Sequence, residues 1–464
     1  MTDSMGYLFW GFLIVYGIIM MILSPKHVTT EGFFHGKSNE GHEPTPTVLM
    51  LSIFISWIFA KSVTNAANLG AEYGFVGGLS YAIYWLCIPI TGYALYRLRK
   101  HYAAKGMVSF LTKEYGQFAS VAFSAAILIR LFNEIWSNTS VVGGYYGDAG
   151  SKAFIYSALL FTAITLIYSV IGGLRSSIIT DSIQAVIFIF FIVFVTVAIL
   201  PKHGLGEFIS TGTWKMDTGL DMVFVSIIQI FSYGFHDPVL TDRGFITDEK
   251  VMLRAFVVSG LLGFLAILVF SFIGIHARLI GLEITNNMPA TLGRTLGVAG
   301  YFAMIVVMIS AAGSTLDSTF SSLGKLTAKD LPEIAGKGMP KHARTIAIVV
   351  MIAFAILGNL PMIVGTDILK ATTISGTMVV GLAPIFLLHG IVRPTKVGFH
   401  LAFWIGIVLG VLLAMDLVPA SWAIGTGKNA MTLGVNLYGT VLCALGYIIP
   451  SFFGKGTCDY GCEN

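Results

Sequence analysis

Charge is what this 464-residue sequence has least of: 11% of its residues are Asp, Glu, Lys or Arg, against 55% hydrophobic and a mean hydropathy of +0.81. A soluble protein of this length carries about 25% charged residues. The 28 Lys+Arg and 24 Asp+Glu cannot coat two or three globular domains, so lipid is the solvent for most of the chain. The composition is that of an all-α, polytopic membrane protein. Cysteine is equally scarce, at four. Cys87 and Cys443 fall in apolar tracts and read as small hydrophobes, whereas Cys458 and Cys462 form a C-x-x-x-C with no further Cys or His nearby. That pair reads as two thiols on a tail, with a metal clip as the alternative. No nucleophile or cofactor constellation and no phosphate-cradling loop is visible, which argues against an enzyme. The net charge of +4 points to no nucleic-acid partner, because the basic residues lie between apolar tracts.

Apolar runs of about 20 residues give about thirteen candidate spans, at 6–23, 47–68, 75–96, 117–143, 153–172, 176–200, 221–240, 255–277, 298–323, 345–364, 368–389, 398–418 and 432–453. The first follows five residues without Lys or Arg and is long enough to span, so it reads as a helix and not as a secretory leader. Lys and Arg concentrate on alternate connections, with clusters at Arg97, Arg99, Lys100, Lys105 and Lys113 and at Lys325, Lys329, Lys337, Lys341 and Arg344. That alternation predicts an N-terminus outside and a C-terminus in the cytoplasm of a bacterial-type inner (plasma) membrane.

Two spans carry polar residues that lipid would penalise. Span 2 crowds Lys61, Ser62, Thr64, Asn65 and Asn68 into its second half, and in span 7 Gly234 and Pro238 break a helix beside His236 and Asp237. Five spans separate them. Breakable, polar helices opening two five-span blocks predict an inverted-repeat transporter with its site near the bilayer middle. One transmembrane domain over 1–464 is expected: an extra helix at 6–23, repeat 1 at 47–200, repeat 2 at 221–389 and two C-terminal helices at 398–453.

Span 9 holds the strongest chemistry. Ser314, Asp317, Ser318 and Ser321 lie at i, i+3, i+4 and i+7, an oxygen stripe with Thr315 at its edge. Such oxygens suit a small hard cation, while the bland alternative is hydroxyls bonded to their own helix or cementing a helix contact. Asp181, near the start of span 6, is a second buried-carboxylate candidate; a local pair with Arg175 is its alternative.

These segments resemble the sodium/solute symporter family. The match lies in Gly172-Gly-Leu-Arg with Thr180-Asp-Ser-Ile-Gln184 and in Ala311-Ala-Gly-Ser-Thr315, which is similar to the family's ion-binding Ala-x-x-Ser-Ser/Thr. The resemblance implies a LeuT-type five-plus-five fold, no enzymatic activity, and a Na+ held by Ala311 through its carbonyl and by Ser314 and Thr315 through their hydroxyls. Two carbonyls of span 2 complete the implied set: Ala60 and Val63 in one register, Ile58 and Lys61 in the other. A second Na+ is implied at Asp181, Ser314, Asp317 and Ser318, with Asp317 departing from the serine expected. Lys61 fits the family least; it replaces a cation, reaches Asp181 or Asp317, or snorkels to water.

The fold so implied places a solute between the broken helices, nominating Thr64, Asn65, Asn68, Tyr233, Phe235 and His236, with span 4 contributing Arg130 and Glu134. That last pair, at i and i+4, is either an internal ion pair or an Arg presented to a substrate carboxylate. The stretch from Asp237 to Lys250 reads as a short connection with Asp242–Arg243 a loop pair. The expected function is Na+-coupled uptake of a small organic solute, an amino acid or other carboxylate, by alternating access, in lipid and with no obligate protein partner. The alternatives are a proton-coupled or exchange transporter in which Lys61 replaces sodium, and a transporter-like solute sensor, which would normally continue into a signalling domain.

Overall fold

The computed structural model describes residues 3–364 and 375–453. Among these residues the regular structure is all helical. Eight helices are long and apolar enough to cross a membrane, and Pro46–Ser56 with Ala60–Tyr73 form one more as a pair bent by 58°. One of the eight, Lys152–Lys202, carries two predicted spans. It bends at Gly173, whose φ of 53° and close approach to the Phe33 carbonyl leave no room for a side chain. Shorter helices, Leu220–Gln229 and Ala343–Leu357, stand in the tracts predicted at 221–240 and 345–364. The tract at 368–389 lies partly outside the described residues, as do Lys370, Cys458 and Cys462.

Several connections between the predicted spans are short helices: Thr30–His35, Met107–Tyr115, Gly204–Ser210 and Met288–Thr295. Each is too brief for a 20-residue window. Thr29 caps the first by accepting from the Gly32 amide, and Asn287 caps the last by accepting from Ala290. Phe33, Phe34, Met288 and Leu292 are buried against the bundle, so these segments plug helix ends.

Small residues let the central helices touch. A Cβ on Gly274 of Glu249–Leu279 would lie 1.7 Å from the Ala67 carbonyl of Ala60–Tyr73, so any substitution there would push the two helices apart. Outward, Val186, Phe190, Val193 and Val197 are exposed at helical spacing, a stripe suited to lipid. At the end bearing the Lys/Arg clusters, Arg99 donates to the carbonyls of Gly244 and Thr247, and Arg97 to those of Leu387 and His389. At the opposite end Asn68 clasps the 286–288 segment: its amide nitrogen donates to the Asn286 carbonyl and its oxygen accepts from the Met288 amide.

Candidate functional site

The break in span 2 is made by a hydrogen bond that leaves the helix. In a continuous helix the Ala60 amide would donate to the Ser56 carbonyl; here it donates to Asn138 Oδ1 at 3.0 Å. The freed Ser56 carbonyl faces span 9, where Thr315 Oγ1 lies 3.3 Å away and also 3.0 Å from the Ala311 carbonyl. Ser314 is the next residue, and its hydroxyl donates to Asp181 Oδ1. All of these groups are buried. Two carbonyls and the Thr315 hydroxyl converge, and the Ser314 hydroxyl is on the adjacent residue, all hard oxygens of the kind that suits Na+. Ala60 and Val63 lie in the helix after the break, the Ala60 carbonyl accepting from Thr64 Oγ1 at 3.1 Å. The carbonyl freed by the break is that of Ser56, which neither expected register names.

Beside these oxygens lies a charged cluster. Asp317 accepts from Tyr168 at 3.0 Å, Thr180 at 2.9 Å and Ser177 at 2.7 Å, and Asp181 accepts from Ser52 at 2.5 Å. The cation among them is Arg243, 2.7 Å from Asp181 and wholly buried. Its expected loop pairing with Asp242 does not form; Asp242 pairs with Lys325 at 2.5 Å. Nor does Asp181 pair with Arg175, which donates to the Gly36 carbonyl. The connection is a buried turn because 3-10 winding over Asp242–Phe245 turns Arg243 into the bundle and leaves Asp242 at its edge.

A second charged cluster joins spans 2, 4 and 7. Glu134 accepts from Lys61 Nζ at 2.6 Å and pairs with Arg130, while Arg130 reaches Asp237 at 2.9 Å. Asp237 also accepts from the Trp57 indole at 3.0 Å and caps the restart of span 7 through the Val239 amide at 3.1 Å. Asn138, which opens span 2, donates to Glu134 as well. The break and the charges are therefore one construction. Lys61 reaches neither Asp181 nor Asp317, and its ammonium is bonded to Glu134 instead of standing among the span 9 oxygens.

Over these charges sits a small cavity of about 10 Å³, room for about one water, lined by Trp57, Phe59, Lys61, Ser62, Tyr81, Tyr84, Trp85 and Tyr233. The rings meet at 5.4 to 6.0 Å, Tyr84 on Tyr233 and Trp57 on both Trp85 and Tyr233. Of the nominated solute residues, Tyr233 lines this cage and Asn65 braces it by donating to Tyr81 at 3.1 Å. Others serve elsewhere. Thr64 bonds its own helix, Asn68 clasps the far end, and Phe235 packs on Phe386 at 4.7 Å. His236 stands behind Tyr233, its Nδ1 donating to the Tyr233 carbonyl at 2.7 Å. The span 3 aromatics were missed, although Tyr81, Tyr84 and Trp85 at i, i+3 and i+4 in a sequence with 13% aromatics were a usable signal.

With this geometry in view, residues 40–223 match the model of the Sodium:solute symporter family. Over 98% of its length and 99% of the other chain, this chain is similar in fold to a Na+-coupled sialic acid symporter in a substrate-bound outward-open state, with a TM-score of 0.75 at 14% identity. Mhp1, a nucleobase-cation-symport-1 family transporter, is similar in its closed form with bromovinylhydantoin bound (TM-score 0.55, 13% identity, 90% of this chain and 94% of that one). Its inward-facing form gives 0.58 at 16% identity, over 89% and 91%. No curated protein matches in sequence. At these identities the structural likenesses carry the fold alone. The chain shares the fold of these transporters, and among the described residues it has helices long and apolar enough to cross a membrane.

Proposed function

We propose that this chain couples the inward Na+ gradient to uptake of a small organic solute. The observation that carries this reading is the meeting of the Ser56 and Ala311 carbonyls at the Thr315 hydroxyl across the broken helix, with the Ser314 hydroxyl on the adjacent residue. Na+ bound there ties span 2 to span 9, the contact that favours the outward-open state in alternating access. Because span 2 also carries Lys61 and Phe59 of the cage, holding it in place organises the solute site. Solute and ion then raise each other's affinity, a coupling commonly worth about 1 to 3 kcal/mol. Release runs toward the Lys/Arg-rich end, the cytoplasmic side by the charge rule, where the Asp242–Lys325 pair latches span 7 to span 9.

The cage supports a compact amino acid or similar zwitterion. Lys61, Arg130, Glu134 and Asp237 sum to zero, so a zwitterion enters without adding net charge to a dry site, whereas a bare anion must break an existing pair. The surrounding rings offer faces to an ammonium group. The proton-coupled alternative in which Lys61 replaces sodium loses support, since that ammonium is committed to Glu134. The test is a thermal-shift screen of the purified protein against zwitterions, carboxylates and neutral sugars, followed by uptake into vesicles. A zwitterion that stabilises the protein only in Na+ and accumulates down a Na+ gradient is the expected result. Uptake that persists without Na+ and follows a pH gradient would overturn the sodium coupling, and a sugar as ligand would overturn the solute class.

A further inference from the structure

The oxygens implied for a second Na+ are already in contact with a cation of the protein's own. Arg243 donates from Nη2 to Asp181 at 2.7 Å, Ser318 at 2.7 Å and Ser177 at 3.2 Å, and from Nε to Ser52 at 2.8 Å. Its Nη1 is fixed on the Val239 carbonyl at 2.5 Å, in the segment where span 7 restarts. Ser177 in turn donates to Asp317 at 2.7 Å, so a single guanidinium serves Asp181 directly and Asp317 through a hydroxyl.

The geometry points to Arg243 as the resident cation of the second ion site, which leaves this chain with one exchangeable Na+, on the Ser314 side. The charge count carries the argument further. When both are ionised, Asp181 and Asp317 supply two negative charges against the one positive charge of Arg243, and none of the three is exposed. A dry cluster with one surplus negative charge calls for one more cation within reach. The Ser314 hydroxyl, which donates its proton to Asp181, keeps its lone pairs for Na+, so the ion bound there balances the surplus without touching Asp317. Asp317, which the family pattern would make a serine, thereby acts as a positioning charge for the shared Na+ and not as its ligand.

This inference rests on the sodium-symporter reading, and equilibrium binding of radioactive Na+ to the purified full-length protein separates the two. Wild type should bind one Na+ and Arg243→Gln two, with its binding curve turning sigmoid. Two Na+ in wild type, or one in Arg243→Gln, overturns the inference while leaving the symporter reading intact; no Na+ binding at all overturns both. Should Arg243→Gln fail to fold, Asp317→Asn decides: the count stays at one and the affinity falls on the order of tenfold, the effect of removing a nearby buried charge. Unchanged affinity in that variant overturns the inference.

Discussion

With every carboxylate ionised, the two buried charge clusters differ by one unit, and that unit separates their roles. Around the cage, Lys61 and Arg130 face Glu134 and Asp237, two positive against two negative, closed on itself. Around the span 9 stripe, Asp181 and Asp317 share only Arg243. A balanced cluster in low dielectric gains nothing from a further ion, so it holds helix ends in place and presents a polar floor. An unbalanced one draws a cation. The balanced cluster is anchored at two helix interruptions, Asn138 opening span 2 and Asp237 restarting span 7, and the other meets the same restart through Arg243 on the Val239 carbonyl.

Breaking the balanced cluster should have the largest effect. Asp237→Ala leaves Arg130 with one partner fewer and a charge unmatched in the protein interior, a loss of about 3 to 5 kcal/mol, seen as a steep fall in melting temperature and in recoverable protein. Removing one charge of each sign, as Lys61→Met with Glu134→Gln, should restore most of the stability and none of the uptake. If the double variant melts as low as Glu134→Gln alone, the cluster is not held by its charge balance.

At the ion side, Ser314→Ala or Thr315→Ala should abolish sodium-driven uptake while the protein remains inserted and folded, since each loses one hydroxyl from a mobile ion's shell. Asp317→Asn should invert the usual expectation for a buried polar network: in sodium-free buffer it melts higher than wild type, by on the order of 1 kcal/mol, because the surplus charge is gone. A lower melting temperature there would place Asp317 in the balanced class after all.

The smallest effect concerns the plug helix at Thr30–His35. Burial, with the Lys329 ammonium 2.7 Å from its Nε2, pushes His35 down to about 4. Its unfolded value is near 6.5, so the undocked state binds the proton first as pH falls. Docking of this helix therefore weakens between about pH 6.5 and 4 and is constant above that window. Hydrogen exchange over 30–36 should rise in that range and lose its pH dependence in His35→Gln.

The sequence made some of this legible and hid the rest for physical reasons. The spans were readable because lipid enforces long apolar runs, and the span 9 oxygens because Ser314, Thr315 and Asp317 are costly there without a partner. Arg243 was not, because it follows Asp242 in a stretch that has the composition of a loop; only the turn sends one inward and leaves the other to Lys325. Glu134 as the partner of Lys61 was hidden as well, since 73 residues separate them and each had a plausible neighbour elsewhere. The exact place of the span 2 break was hidden because it depends on Asn138, in another helix.

The central claim is that the oxygens between the broken helix and span 9 hold Na+. The direct measurement compares melting of the purified protein in sodium and potassium chloride at equal ionic strength, for wild type and Ser314→Ala. Ligand binding to the folded state alone stabilises it by about 2.7 kcal/mol at a hundredfold excess over Kd. Wild type should melt higher in sodium and Ser314→Ala equally in both; a sodium increment that survives the substitution, or none in wild type, would contradict the account.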